Sequence, residues 1–332
     1  TLKGKYKNFD NDFKINNFYE KFLNKKDKNF KNIIVEKSIL ALSAIKTKNE
    51  KKLVPISIYN NLKSKIKIHN YFVEKIKKEK SLIRLCCSNK KIKKEFLTKK
   101  LVLAAGTLAT TKLVMEYLKL KNEVSIKHHP RLISVYFAKN KISSGLELTP
   151  GLFQIKNKKD GDIFSGDIRP ANEMILNMSL KIYSFFKPLK FILLFFKNYI
   201  LFSNNLLGSK FSNLYIKKDK DIFLIFSKKE KTLKILKKKQ KMIFNFLKTN
   251  KIIFPFFKNF FPGIGADYHY FGTIPIGKKK LSVNKNCQLK NNKSIFIVDG
   301  SVLNFKKNLY PIGFVMANAK RIAKLLNKNE NI

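Results

Sequence analysis

The chain has 332 residues, and 70 Lys and Arg against 22 Asp and Glu give it a formal net charge of +48. This length predicts two domains, because one domain usually takes roughly 100–200 residues. A hydrophobic fraction of 44% with 30 Phe supplies enough apolar surface for a large core and excludes wholesale disorder. The three cysteines, adjacent Cys86 and Cys87 and distant Cys287, exclude a disulfide-built fold and a cysteine-rich zinc module.

The positive charge resides almost wholly on lysine, since 66 Lys stand beside only four Arg. Proteins that read nucleic-acid grooves favour Arg, whose planar guanidinium makes paired hydrogen bonds that an ammonium cannot make. Abundant Lys, Asn, Ile and Phe without any Trp are typical of drift in an AT-rich genome. We therefore expect no specific nucleic-acid partner, although the net charge favours nonspecific binding to polyanions.

Residues 1–50 are polar and rich in Lys and Asn, apart from an apolar segment at 33–44 for which we predict a helix. The chain begins with Thr1 rather than Met, and no apolar run of a signal peptide follows, so the expected location is cytoplasmic. A short predicted helix at 58–62 leads into β-rich runs separated by charged turns. These runs predict a β-meander with strands at 65–69, 72–76, 82–87 and 92–96.

A βα unit follows the meander. Residues 101–105 form the continuous apolar run of a buried strand, Gly106 ends it, and residues 107–120 have the pattern of an amphipathic helix. This unit predicts an α/β fold. Residues 121–180 hold most of the Pro and Gly of the middle region and predict mixed strands and loops that begin a second domain.

The most apolar stretch is residues 181–207. Lys187, Lys190 and Lys197 interrupt it, so no uncharged run reaches the roughly 18 residues that a membrane-spanning helix needs. We predict a pair of amphipathic helices covering a core. The alternative is a helix lying in the membrane interface, which would give the protein a peripheral membrane contact.

The C-terminal part predicts strands at 222–226 and 294–298 and helices at 231–247 and 311–326. The string at 263–268 matches the first two glycines of a GxGxxG fingerprint. It has Tyr268 in place of the third glycine and follows a Pro/Phe loop rather than a strand, so it does not predict a dinucleotide site.

The histidines leave two interpretations open. His269, between Tyr268 and Tyr270, is either a loop histidine that stacks or is exposed, or a general base, because imidazole titrates near neutral pH. His128 and His129 are adjacent, should point in different directions and have no acidic neighbour. We expect no metal site.

Three blocks of the sequence resemble the glucose–methanol–choline (GMC) family of flavin oxidoreductases. Residues 99–114 (KKLVLAAGTLATTKLV) resemble its Ala-Ala-Gly strand–helix unit, and residues 268–277 (YHYFGTIPIG) resemble its His-x-x-Gly-Thr block. Residues 295–326 resemble its closing Val-Asp-Ala/Gly-Ser-Val segment and last helix. Order and spacing agree over about residues 55–326, and the ending MANAKRIA resembles a bacterial subgroup associated with sugar and exopolysaccharide genes.

The resemblance implies a Rossmann-like FAD-binding domain and a substrate domain made of a β-sheet flanked by helices. On this basis we expect residues 1–125 and 285–332 to form the FAD-binding domain and residues 126–284 the substrate domain. The family's N-terminal GxGxxG unit has no counterpart here, so the FAD-binding domain is expected to be partial. The resemblance thus implies a fragment, the C-terminal two-thirds of such an enzyme.

The resemblance also implies site residues. His269 is expected to take the proton of the substrate alcohol while a hydride passes to flavin N5. Tyr310 stands where the family usually has His or Asn, and its hydroxyl can donate a hydrogen bond, but an ordinary pKa near 10 makes it a poor base at neutral pH. The implied FAD-binding residues are Val73, Ala105, Gly106, Asp299, Gly300, Pro311, Ile312 and Gly313.

Two hypotheses about function result. The first is an FAD-dependent oxidoreductase that acts on the CH–OH group of a small-molecule alcohol or sugar. The alternative is a noncatalytic remnant of the same fold that binds or assembles with a partner. The missing glycine-rich unit, Tyr310 and the charge of +48 motivate the alternative.

Overall fold

A computed structural model describes residues 6–7, 33–37, 40–41, 66–89, 92–141, 153–157, 164–171, 177, 188, 190–228, 231–261, 269–305 and 311–328. In chain order, the strands are β1 (Tyr6–Lys7), β2 (Ile33–Lys37), β3 (Leu40–Ala41), β4 (Phe72–Glu79), β5 (Leu82–Ser88), β6 (Lys93–Thr98), β7 (Leu101–Leu103), β8 (Val124–Ile126), β9 (Arg131–Ala138), β10 (Phe153–Asn157), β11 (Phe164–Pro170), β12 (Ile200–Leu207), β13 (Leu214–Asp219), β14 (Ile222–Ser227), β15 (Ile253–Phe260), β16 (Gln288–Leu289) and β17 (Asn292–Ile297).

The α-helices of the described residues are α1 (Thr107–Tyr117), α2 (Lys190–Phe195), α3 (Lys231–Thr249) and α4 (Pro311–Lys328). Short 3-10 helices cover Lys197–Tyr199, Ser209–Phe211 and Gly300–Val302. Helices and largely antiparallel sheets are thus combined, which confirms the predicted α/β class. Among the described residues, no helix is both long enough and apolar enough to cross a lipid bilayer.

The chain divides into two compact units. The first unit consists of Thr1–Ile68, Arg131–Leu206 and Leu233–Pro262. The second unit consists of His69–Pro130, Leu207–Thr232 and Gly263–Ile332. The functional division into an FAD-binding part (1–125 and 285–332) and a substrate part (126–284) stays a prediction.

The first unit is built on a six-stranded sheet with the order β15-β9-β12-β11-β10-β2. Its β9 and β12 pair antiparallel from Ile200 opposite Phe137 to Leu206 opposite Arg131. Burial along β9 alternates strictly, because successive side chains of a strand point to opposite faces of the sheet. Helix α3 contacts this sheet through Gln240, whose side chain donates a hydrogen bond to the Tyr136 hydroxyl.

The second unit contains three three-stranded sheets, with the orders β14-β13-β8, β16-β17-β7 and β4-β5-β6. Strands β7 and β17 are parallel, and their apolar residues form one core with helix α1. That core includes Leu103, Leu113, Val114, Ile295 and Ile297. The functional blocks predicted from the sequence all lie in this unit.

Several predicted elements are confirmed. The meander exists as β4, β5 and β6, and the βα unit as β7 and α1. The predicted strands at 222–226 and 294–298 correspond to β14 and β17, and the predicted helices at 231–247 and 311–326 correspond to α3 and α4. These elements carry regular periodicity within a single segment, which is the signal that sequence patterns contain. The predicted helix at 58–62 lies outside the described residues.

Three predictions are wrong. The segment at 33–44 contains β2 and β3 rather than a helix, because its Ile-Ile-Val run pairs with β10. Within the apolar stretch at 181–207, residues 200–207 are strand β12 at the centre of the sheet rather than part of a predicted helix, and α2 has six residues. A strand buried on both faces and a buried helix have the same continuous apolar pattern. Residues 66–70 are not a strand.

Candidate functional site

The carboxyl ends of two parallel strands in the second unit bring the first and third blocks together. Strand β7 pairs with β17 in parallel, and the Val298 N–H donates to the Leu103 carbonyl at 3.0 Å just beyond the paired residues. Ala105 and Gly106 follow β7, and Asp299 and Gly300 follow β17. They share one edge of the sheet, the edge at which open α/β sheets bind ligands.

Asp299 is the buried anchor of this edge. Its Oδ2 accepts a hydrogen bond from the Thr110 hydroxyl of α1, and its Oδ1 accepts from the backbone N–H of Ser301 at 3.0 Å and from the Ser301 hydroxyl. A buried carboxylate requires such donors, because burial without them is very costly. In this structure the predicted cofactor-binding Asp299 therefore holds the 3-10 turn Gly300–Val302 against helix α1.

Gly300 lies close to residues of both other blocks. A Cβ at this position would lie 2.7 Å from the Thr107 hydroxyl oxygen and 2.9 Å from the Tyr270 carbonyl oxygen, so only glycine fits without displacement. The Gly300 carbonyl accepts a hydrogen bond from the Gly272 N–H at 3.0 Å, and the Ser301 carbonyl accepts from the Ile274 N–H at 2.8 Å. The second block is thereby bound to the third.

His269 precedes a backbone segment that is fixed on two further sides. The Thr107 hydroxyl donates to the Tyr270 carbonyl at 2.6 Å across a sequence separation of 163 residues. Phe271 and Lys127 exchange two backbone hydrogen bonds of 2.9 and 2.8 Å. The His269 side chain itself is half-buried. The backbone next to this partly buried residue is held by residues 107, 127 and 300.

An aromatic stack connects the second block with helix α4. Phe271 is fully buried, and the ring of Phe305 stacks on it with centroids 4.4 Å apart. Phe305 in turn contacts Phe314, in the first turn of α4, at 5.6 Å. On another side of Phe271 lies the ring of His129, at 5.4 Å. The sequence did not indicate this stack, because its members are spread over the chain without a common pattern.

Two of the three predicted cofactor-binding residues at the start of α4 lie at the surface. Pro311 is buried, whereas Ile312 and Gly313 are exposed, and a Cβ at Gly313 would meet nothing within 4 Å. Gly106 also lies in open space and has a φ of +85°. Both positions leave backbone accessible at the first turn of a helix, where N–H groups have no acceptor within the helix.

The remaining predicted residues have different outcomes. Val73 lies on β4, beside an irregularity in its pairing with β5, and is partly exposed. Strand β4 packs against α1. Tyr310 and the glycine-rich string at 263–268 lie outside the described residues. The structure thus brings Ala105, Gly106, Asp299 and Gly300 together, joins the His269 block to them, and does not describe Tyr310.

Sequence reasoning missed a set of buried threonines. Thr107, Thr110 and Thr111 are buried on α1. Thr107 and Thr110 bond to the other two blocks, and the Thr111 hydroxyl lies 2.6 Å from the Thr273 hydroxyl of the second block. The spacing i, i+3, i+4 places all three on one helix face. That spacing was a visible signal, although it did not identify the partners.

His128 and His129 are also buried, and each has partners within the protein. His129 Nδ1 lies 3.1 Å from the Leu207 carbonyl oxygen, and His128 Nε2 lies 3.2 Å from Asn213 Oδ1. Among the residues that the structure describes, there is no group of three or more His, Cys, Asp and Glu side chains that could hold a metal ion.

Comparison with solved structures places the fold beside a known enzyme. The chain is similar to the crystal structure of pyridoxine 4-oxidase from Mesorbium loti, with a TM-score of 0.50 and 12% sequence identity. The similarity covers 78% of this chain and 57% of that one. No family model matches the sequence, and neither does any curated protein. At this identity the likeness concerns the fold alone.

Proposed function

We propose that this chain is part of an FAD-dependent oxidoreductase that oxidises the CH–OH group of a small-molecule alcohol or sugar. One observation carries the proposal: three sequence blocks that resemble the GMC family are joined by direct hydrogen bonds although they are distant in the chain. Thr107, Tyr270 and Gly300 meet within hydrogen-bond or close-contact distance. The same contacts fix the backbone beside His269, the residue proposed as the base.

Two open backbone segments are the proposed contacts of the flavin nucleotide. Gly106, at the start of α1, and Gly313, at the start of α4, have no neighbouring atoms where a side chain would stand, so a ligand can approach the backbone there. Helix N-termini favour phosphate oxygens and other partly negative atoms. We assign Ala105 and Gly106 to one part of FAD, and Ile312 and Gly313 to another. When bound, the flavin supplies a hydride acceptor.

In this proposal, His269 accepts the hydroxyl proton of the substrate at an imidazole nitrogen. Removal of that proton favours loss of a hydride from the same carbon, so a positioned base accelerates the reaction. The hydrogen bonds at Tyr270, Phe271 and Gly272 fix the backbone that carries the imidazole. Tyr310 is proposed as a hydrogen-bond donor to the substrate oxygen rather than as the base.

The test mixes the purified holoprotein anaerobically with each of a panel of alcohols, sugars and pyridoxine. Flavin reduction is measured as the loss of visible flavin absorbance. His269→Ala should lower the reduction rate by roughly 10²–10⁴-fold while the flavin stays bound. His69→Ala is the matched control, because His69 is exposed and its ring contacts Phe96 at 5.0 Å, so its rate should not change. An unchanged rate in His269→Ala would contradict the role of this residue, and a purified protein without flavin would favour the noncatalytic alternative.

A further inference from the structure

The first unit carries a group of exposed aromatic side chains on helix α2 and strand β15. Phe191 and Phe195 of α2 are 83% and 80% exposed, although phenylalanine is usually buried. The helix is held to the unit from its other side, where Leu193 and Leu194 pack against a core that contains Ile200 and Phe202. The exposure of the two rings is therefore a property of an anchored helix.

The exposed rings form one continuous surface. Phe191 and Phe195 are four residues apart and lie on the same face of α2, with Ile192 and Phe196 beside them. Phe196 also lines a cavity of about 320 Å³ together with Phe254 and Phe256 of β15. We call these six residues the aromatic patch: Phe191, Ile192, Phe195, Phe196, Phe254 and Phe256.

The charged residues next to the aromatic patch in the sequence have one sign. No Asp or Glu occurs in residues 174–218 or in residues 231–266, the two stretches that contain the patch. Lys190 is the first residue of α2 and Lys197 follows the helix, while Lys251 precedes β15 and Lys258 lies on it. Phe is common in protein–protein interfaces, but Lys is depleted from them, so the lysines favour an anionic surface over a protein partner.

We infer that the aromatic patch docks on the surface of a membrane that contains anionic lipids. Aromatic rings are enriched at the boundary between headgroups and acyl chains, and lysines at that depth bind anionic headgroups. The six residues of α2 are too few to span a bilayer, so the contact is peripheral. This inference is independent of the proposed catalytic function, because every residue of the patch lies in the first unit.

The absence of Trp from the chain makes a direct test possible. Phe191→Trp introduces a single fluorescent reporter into the patch, and Phe72→Trp is the matched control, because Phe72 is 80% exposed on β4 of the second unit. Vesicles of phosphatidylcholine with phosphatidylglycerol should shift the emission of Phe191→Trp to the blue and leave that of Phe72→Trp unchanged. No shift, or an equal shift at both positions, would overturn the inference.

A second pair of variants separates insertion from general attraction of the charge of +48 to anions. Phe191→Ser combined with Phe195→Ser should weaken cosedimentation with the same vesicles by roughly tenfold or more, whereas Phe72→Ser should sediment as the unchanged protein does. All these side chains are exposed, and circular dichroism checks that folding is retained. The membrane assignment would be overturned if the double variant sedimented with vesicles as the unchanged protein does, or if it lost self-association rather than vesicle binding.

Discussion

The two compact units stabilise buried polar groups in different ways. In the first unit, neutral groups form a chain of hydrogen bonds from sheet to helix. The Ser203 hydroxyl donates to Asn205 Oδ1, the Asn205 amide donates to Gln240, and the Gln240 amide donates to Tyr136. In the second unit, the Asp299 carboxylate receives three donors and holds a helix to a turn.

This difference separates a structural network from a candidate site. The neutral chain joins β9, β12 and α3, and its members need only complementary donors and acceptors. The carboxylate binds Thr110 of the first block, which lies 189 residues away in the sequence, and Ser301 of its own block. A buried charge demands full hydrogen bonding, which makes the position of those blocks more strictly defined.

The largest expected effect is the loss of this carboxylate. Asp299→Ala leaves the Thr110 hydroxyl and both Ser301 donors without their acceptor, so we expect the second unit to lose about 3 kcal/mol of stability. Hydrogen exchange should increase in residues 101–117 and 295–305. Asp299→Asn, which keeps one carbonyl oxygen, should lose less. Equal increases in strand β12 of the first unit would contradict a local role for Asp299.

The neutral network of the first unit should respond to alkaline pH. Burial raises the pKa of Tyr136 to about 12, above its ordinary value of 10. Unfolded Tyr136 therefore loses its proton at a lower pH than folded Tyr136, and stability should fall by about 2–3 kcal/mol as the pH rises from about 10 to 12. The measurement is chemical denaturation across this range.

Tyr136→Phe isolates this effect from that of other alkaline groups. The variant should be less stable at neutral pH, because the Gln240 amide loses its acceptor, by about 1–2 kcal/mol. The difference in the free energy of unfolding between the unchanged protein and Tyr136→Phe should shrink as the pH approaches 12. A constant difference between the two proteins over the whole range would contradict the raised pKa.

A pair of glycines in the second unit includes the smallest expected effect, that of Gly313→Ala. Gly300→Ala should cost about 2 kcal/mol, because its Cβ would meet the Tyr270 carbonyl oxygen at 2.9 Å. Gly313→Ala is the matched substitution in open space, and it should stabilise helix α4 by about 0.5–1 kcal/mol. Thermal unfolding measures both. Destabilisation by Gly313→Ala of the same size as by Gly300→Ala would show that the contacts at Gly300 are not its cause.

The second unit was more predictable than the first. Its β7–α1 unit, the strand before Asp299 and helix α4 each carry a local signal: an apolar run ended by glycine, or a helical period that begins at proline. In the first unit, β12 lies within an apolar stretch, and the pattern there did not distinguish a strand from a helix. Strand β2 depends on its pairing with β10, which is far away in the chain.

The sequence by itself determined the α/β class, the order of the three blocks and the residue types at the candidate site, including His269, Asp299 and Gly300. Only the tertiary structure decided that Thr107 binds the Tyr270 carbonyl, that Asp299 binds Thr110, and that Phe191 and Phe195 stay exposed. The physical reason is the sequence distance between the residues that determine each feature. Turns and helical periods arise from neighbouring residues, whereas a hydrogen bond across 163 residues or an exposed ring depends on which distant segments fold against each other.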